Sequence, residues 1–185
     1  MRLPFDSAKL VSPFGMRTIF GKKAFHYGID FVTQNKRIYA CAAGKVIVAR
    51  LNGGYGNNIM IQHKDLISVY GHLSEILVKE GQMVQEGDLI GIEGNTGRST
   101  GSHLHFEFRK SRWERSTDTN PARVIGFAEE RSKLYTYQAP ITKPNYVKIL
   151  EQKVDRPDIW VGFIEEMKNH PTGKWIPDLI EKLSK

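Results

Sequence analysis

Cysteine is almost absent from the sequence. Cys41 is the single one, so no internal disulfide can hold the fold and a disulfide-stapled scaffold is excluded. It sits in the apolar stretch Ile38-Tyr39-Ala40-Cys41-Ala42-Ala43-Gly44, where a small buried core residue is expected in preference to a catalytic thiol. No apolar run approaches the roughly 20 residues a membrane-spanning helix needs. Residues Met1 to Arg17 hold neither an apolar h-region nor a small-residue cleavage site. The chain as given is therefore expected to carry no secretion signal. It would stay in a cytoplasm, leave by another route, or be supplied already trimmed. Zinc-finger cysteine pairs, a basic helix and an aromatic RNA-binding motif are also missing. Positive charge nevertheless prevails, with 27 Lys and Arg against 20 Asp and Glu for a net charge of +7. Nearly all of that excess falls in residues 1–125. A basic face suits a polyanionic partner. Nucleic acid is one candidate and an anionic cell-wall polymer another, and charge alone does not choose between them; with no nucleic-acid-reading element present, nucleic acid is not expected.

Helical periodicity is the other thing lacking, up to about residue 109. Short alternating segments separated by glycine-rich turns take its place: AFHYGIDFV, RIYACAA, GKVIVARL, NNIMIQHK, ISVYGHL, QMVQEGDLIGIEG and HLHFEFRK. This pattern predicts a mainly β sandwich or barrel-like core. The G-x-x-V-x-x-G-x-x-I-G spacing from Gly81 to Gly91 resembles the hammerhead turn of barrel-sandwich carrier domains. No Met-Lys-Met attachment site accompanies it, so it predicts shared architecture and no carrier function. Two units are expected: a β domain over residues 1–125 and a helical extension over residues 126–185. Residues 126–143 read as irregular or weakly helical. Trp160, Phe163, Ile164 and Met167 form one helical stripe, and Ile176, Leu179, Ile180 and Leu183 a second.

The chemistry lies in the histidines. In His26-Tyr27-Gly28-Ile29-Asp30-Phe31, strand alternation puts His26, Gly28 and Asp30 on one face. Gly28 is expected to leave space for a metal and substrate to approach. In His103-Leu104-His105-Phe106-Glu107-Phe108, the polar set His103, His105 and Glu107 opposes Leu104, Phe106 and Phe108. In Ser68-Val69-Tyr70-Gly71-His72, His72 is expected to share a face with Tyr70 and Ser68 while Val69 and Ile67 face the core. Each pair alone is a weak signal, since a lone histidine is more often a surface or satisfied core residue. Together they predict a catalytic zinc site with three protein ligands, His26, Asp30 and His105. Such a metal lowers the pKa of water to about 7 and polarises a carbonyl. His72 and His103 are then free for proton transfer and oxyanion stabilisation.

These residues also carry a family resemblance. His26-x-Gly28-x-Asp30, Gly54-Tyr55-Gly56-Asn57, Tyr70-Gly71-His72-Leu73-Ser74 and the run Gly94-Asn95-Thr96-Gly97-x-Ser99-Thr100-Gly101-x-His103-Leu104-His105-Phe106-Glu107 resemble the lysostaphin-type zinc endopeptidases. The likeness runs in order from about Pro13 to Arg109 and includes Ser12-Pro13-Phe14-Gly15-Met16-Arg17. It implies an antiparallel β fold with a sheet-floored groove, and hydrolysis of stem peptides or cross-bridges in bacterial peptidoglycan. It implies metal ligation by His26, Asp30 and His105, and catalytic roles for His72 and His103. His63 matches a frequent histidine with no chemistry assigned. Tyr55 and Asn57 fall in a groove-lining turn. Where some members place a tyrosine ahead of the first histidine, this chain has Phe20 and Phe25. A phage or prophage lysin is the expected setting. The alternatives are a wall-binding regulator of other hydrolases, against which the retention of all five site residues argues, and a virion component docked through residues 126–185.

Overall fold

The computed structural model describes residues 1–19, 21–117 and 119–138. In chain order the elements are β1 (Ser7–Ser12), β2 (Gly15–Ile19), β3 (Lys22–His26), β4 (Ile29–Thr33), β5 (Arg37–Tyr39), β6 (Gly44–Leu51), a 3-10 turn (Gly53–Tyr55), β7 (Asn57–Gln62), β8 (Ile67–Leu73), β9 (Glu75–Ile76), β10 (Met83–Val84), β11 (Leu89–Ile92), β12 (Leu104–Arg109), α1 (Pro121–Ile125) and β13 (Leu134–Thr136). Eight strands make one sheet in the order β10-β6-β7-β8-β12-β4-β1-β13. A second sheet has the order β5-β11-β9, and β2 and β3 form a hairpin. Every pairing is antiparallel. The described residues are thus mainly antiparallel β, as the alternation predicts.

The core follows from that alternation. Leu104, Phe106 and Phe108 project from one face of β12 and are buried. Ile29 and Phe31 of β4, Ile59 and Ile61 of β7 and Tyr70 of β8 join them, and Ile38 of β5 and Ile90 of β11 close the cluster from the smaller sheet. The two sheets therefore pack face to face, with the core between them. The Gly81–Gly91 segment joins them. Gly81 and Gly87, both in the left-handed region, turn the chain at either end of β10. Between these turns Val84 is buried in the shared core.

Three local expectations change. Phe106 pairs with Tyr70 and Glu107 with Val69, so Tyr70 lies on the core face. Val69 and Ile67 instead pack with Val48 and Met60 in a separate cluster. At Gly28, a Cβ would fall 2.6 Å from the Phe106 carbonyl oxygen and 2.7 Å from the His105 ring. The space is filled by His105 and is not open to substrate.

The third concerns residues after 125. Asn120 caps α1 by accepting from the Ala122 amide, Pro121 occupies its first turn, and Gly126 at φ 89° ends it in the left-handed conformation. The chain then returns as β13, which pairs with β1. Tyr135 of β13 packs edge-on against Phe31 and Phe127. The compact β unit thus runs from Met1 to Gln138, past the expected boundary at 125. The two helical stripes expected beyond residue 160 lie outside the described residues.

Candidate metal centre

Three elements bring the predicted ligands together. The β2–β3 hairpin delivers His26 at the end of β3, where it pairs with Gly15. β4 and β12 run side by side with Asp30 directly opposite His105. All three residues are buried, and their donor atoms form one cluster. His26 Nε2 lies 3.1 Å from Asp30 Oδ1 and 3.1 Å from His105 Nδ1, and His105 Nδ1 lies 2.7 Å from Asp30 Oδ1.

The surroundings fix which atoms face the cluster. His26 Nδ1 lies 2.8 Å from the Pro13 carbonyl. A carbonyl only accepts, so Nδ1 carries the hydrogen and Nε2 presents its lone pair. His105 Nε2 lies 2.9 Å from Glu107 Oε1, which leaves His105 Nδ1 to face Asp30. Two imidazole lone pairs and a carboxylate oxygen therefore converge on one point, an arrangement that requires a cation or a proton between them. Burial lowers the pKa of His105, but Asp30 and Glu107 outweigh it and raise it to about 9. Burial alone would raise Asp30, yet the imidazoles of His105 and His26 against it hold its carboxyl far below the usual range. A nitrogen–nitrogen–oxygen donor set with both imidazole tautomers locked from outside fits zinc.

A supporting shell was only partly visible in the sequence. Arg17 donates to Asp30 Oδ2 at 2.9 Å and to Ser12 Oγ at 2.7 Å. Asp30 thus keeps Oδ1 for the cluster. Glu107 is held in turn by the Tyr55 hydroxyl at 2.7 Å and Arg109 Nε at 2.8 Å, while Arg109 Nη2 donates to the Tyr55 hydroxyl at 2.6 Å. Burial raises the Glu107 pKa, but His105 and Arg109 pull it down to about 2. Glu107 was readable as sharing a face with His105. Arg17, Arg109 and the Pro13 carbonyl carried no local signal, because only the hairpin and sheet register place them.

His72 and His103 stand beside the cluster with ring centres 4.7 Å apart. His72 Nδ1 lies 2.8 Å from the Thr96 carbonyl, and His103 Nδ1 lies 2.8 Å from the Gly101 carbonyl. Each therefore donates through Nδ1. Burial pushes His72 down to about 4 against the raising effect of the Thr96 carbonyl, so its ring is neutral near pH 7. His103 Nε2 lies 3.7 Å from Asp30 Oδ1. His72 reaches this position through an irregularity, a φ of 63° at a non-glycine residue. The β7–β8 pairing shifts register there, with Ile59 opposite Tyr70 and Asn57 opposite Leu73. This bulge turns His72 toward His103 and returns Leu73 to the core.

The remaining candidates lie elsewhere. His63 bonds the Ala43 carbonyl and Ser68 Oγ, on the side of Tyr70 and Cys41. Cys41 is fully buried, and burial raises its thiol pKa. Asn57 opens β7 and reaches the Ser74 carbonyl.

Comparison with known proteins agrees with this geometry. Peptidoglycan DD-endopeptidase ShyB of Vibrio cholerae is 41% identical over 113 residues, covering 57% of this chain and 26% of that protein. The chain spans about a quarter of the length of the curated relatives it matches first. A zinc-containing peptidase of Vibrio cholerae, solved as a crystal structure, superposes with a TM-score of 0.52 at 39% identity, covering 57% of this chain and 35% of that one. The catalytic domain of the antimicrobial peptidase lysostaphin from Staphylococcus simulans gives a TM-score of 0.54 at 32% identity, covering 65% of this chain and 92% of that one. Residues 24–121, over half of the sequence and holding all three donors and both flanking histidines, match the model of Peptidase family M23, and the chain belongs to that family.

Proposed function

We propose that the protein is a zinc-dependent endopeptidase that hydrolyses peptide bonds in bacterial peptidoglycan. The observation that carries this reading is the convergence of His26 Nε2, Asp30 Oδ1 and His105 Nδ1, with two tautomer-locked histidines beside them. Zinc held by these three residues supplies Lewis-acid polarisation of the scissile carbonyl and acidification of the attacking water. His72 and His103 supply the proton handling. A ring with no hydrogen at Nε2 can accept a proton from the nucleophile, and once protonated it can donate to the leaving amine or to the developing oxyanion. Their hydrogen bonds to the Thr96 and Gly101 carbonyls hold both rings in the orientation this needs. The likeness to a peptidoglycan DD-endopeptidase and to lysostaphin supports a wall peptide as substrate. The net charge of +7 supports adhesion to anionic wall polymers.

Digestion of purified sacculi by the zinc-supplemented protein tests the reading, with mass identification of the released peptides. Conversion of cross-linked dimers to monomers with a new free amine is the expected result. Sacculi left intact by protein carrying one equivalent of zinc would sink it.

A further inference from the structure

One cation at the centre is used by none of this chemistry. Arg115 is exposed. Its guanidinium carbon lies 5.4 Å from the centre of the Tyr27 ring and 5.5 Å from that of Tyr55. The Tyr55 ring stands at the metal centre, and the Tyr27 ring packs on that of Phe25. Tyr27 follows His26 in the chain, and the Tyr55 ring lies 5.7 Å from that of His105. The guanidinium is therefore within about 11 Å of the His105 ring.

No carboxylate among the described residues pairs with Arg115. The two acids of the centre are already engaged. Asp30 serves His26, His105 and Arg17, and Glu107 serves His105, Tyr55 and Arg109. Arg17 and Arg109 are neutralised by those same pairs, whereas Arg115 has no carboxylate partner among the described residues. Tyrosine rings attract a guanidinium to their faces, which leaves its N–H edges available for a planar, two-oxygen acceptor.

We propose that Arg115 is a specificity-determining residue that binds a carboxylate of the substrate peptide within three residues of the scissile bond. An extended residue covers about 3.5 Å, so the 11 Å bound spans that many. The inference rests on the peptidase reading and narrows its substrate. A direct cross-link to the second amine of a diamino dicarboxylic residue leaves a free carboxylate on the carbon that bears that amine, next to the cleaved bond. The interior of a glycine bridge offers none. Arg115 selects the first kind.

The test is a binding titration of zinc-loaded protein, by calorimetry or NMR, with diacetyl-Lys-D-Ala-D-Ala and with its C-terminal amide. The natural protein should bind the carboxylate form about ten-fold more tightly than the amide, the size of one charge-assisted contact. Arg115→Gln should bind both forms equally. Arg115→Lys, which keeps the charge and loses the fork, should recover part of the preference. Zinc content and melting temperature, measured alongside, should match the natural protein in both variants. A preference that survives in Arg115→Gln, or that is absent from the natural protein, overturns the proposal. Binding is read apart from cleavage. A protein that cuts no sacculi yet shows the Arg115-dependent preference fails the peptidase reading and keeps the carboxylate site; one that cuts sacculi without the preference does the reverse.

Discussion

Asp30 divides its two oxygens between two tasks. Oδ1 faces the imidazoles of His26 and His105, while Oδ2 takes the Arg17 guanidinium. His105 is similarly committed at both ring nitrogens. Removing a ligand and removing a flanking base should therefore have different signatures. His105→Ala should lose zinc and peptidase activity together, measured by metal analysis and peptide release. His72→Ala should retain zinc and lose about 100- to 10,000-fold in turnover, the usual contribution of an acid–base group; a near-normal rate would remove that role from His72. Glu107→Gln keeps the shape of the side chain and removes the charge that His105 faces. Zinc affinity, read by competition with a chelator, should fall about 10- to 100-fold.

At the scale of elements, two glycine-rich loops interlock to hold His72. Thr96 is the hub. Its hydroxyl donates to the Leu73 carbonyl at 2.7 Å and accepts from the Asn57 amide at 2.9 Å, while its carbonyl takes His72 Nδ1. Gly56 and Gly97 both have positive φ, and a Cβ on Gly97 would lie 2.2 Å from the Gly56 nitrogen. Backbone meets backbone there, so no side chain can give way. Gly97→Ala should cost about 1–3 kcal/mol of stability through strain and displaced backbone. It should also lower turnover while zinc content stays near one equivalent, because the metal ligands sit on β3, β4 and β12 and not on these loops. Urea unfolding and metal analysis on one preparation check both halves.

Across the whole β unit, the sheet that floors the site also walls the core. Phe106 lies between His105 and Glu107 in β12 and is itself fully buried against Tyr70 and Phe108. Phe106→Ala should destabilise by about 3–5 kcal/mol, seen as a lower urea midpoint. The strand after α1 belongs to the same unit, since Tyr135 and Phe127 pack on Phe31. A chain ended after Arg123 should therefore melt at a lower temperature than one ended at Gln138, and differential scanning calorimetry compares them.

Alternation in the sequence was enough to set His103, His105 and Glu107 against Leu104, Phe106 and Phe108, and to class the core as β. Those assignments depend only on the two-residue period of a strand, which is a local property. Alternation does not account for the meeting of His26 with Asp30, because β3 ends at His26 and β4 begins at Ile29. Reading the same period through Ser68 to His72 put Tyr70 on the wrong face, because the bulge at His72 is set by the β7 register and by Thr96, a residue from a distant loop. The Arg17 contact to Asp30, the bracing of Glu107 by Tyr55 and Arg109, the filling of the space at Gly28 and the return of β13 to β1 likewise join residues far apart in the chain. The sequence by itself determined which groups are candidates for the chemistry. Only the tertiary structure decided which atoms of those groups face one another, because tautomer and orientation are set by partners that meet through folding.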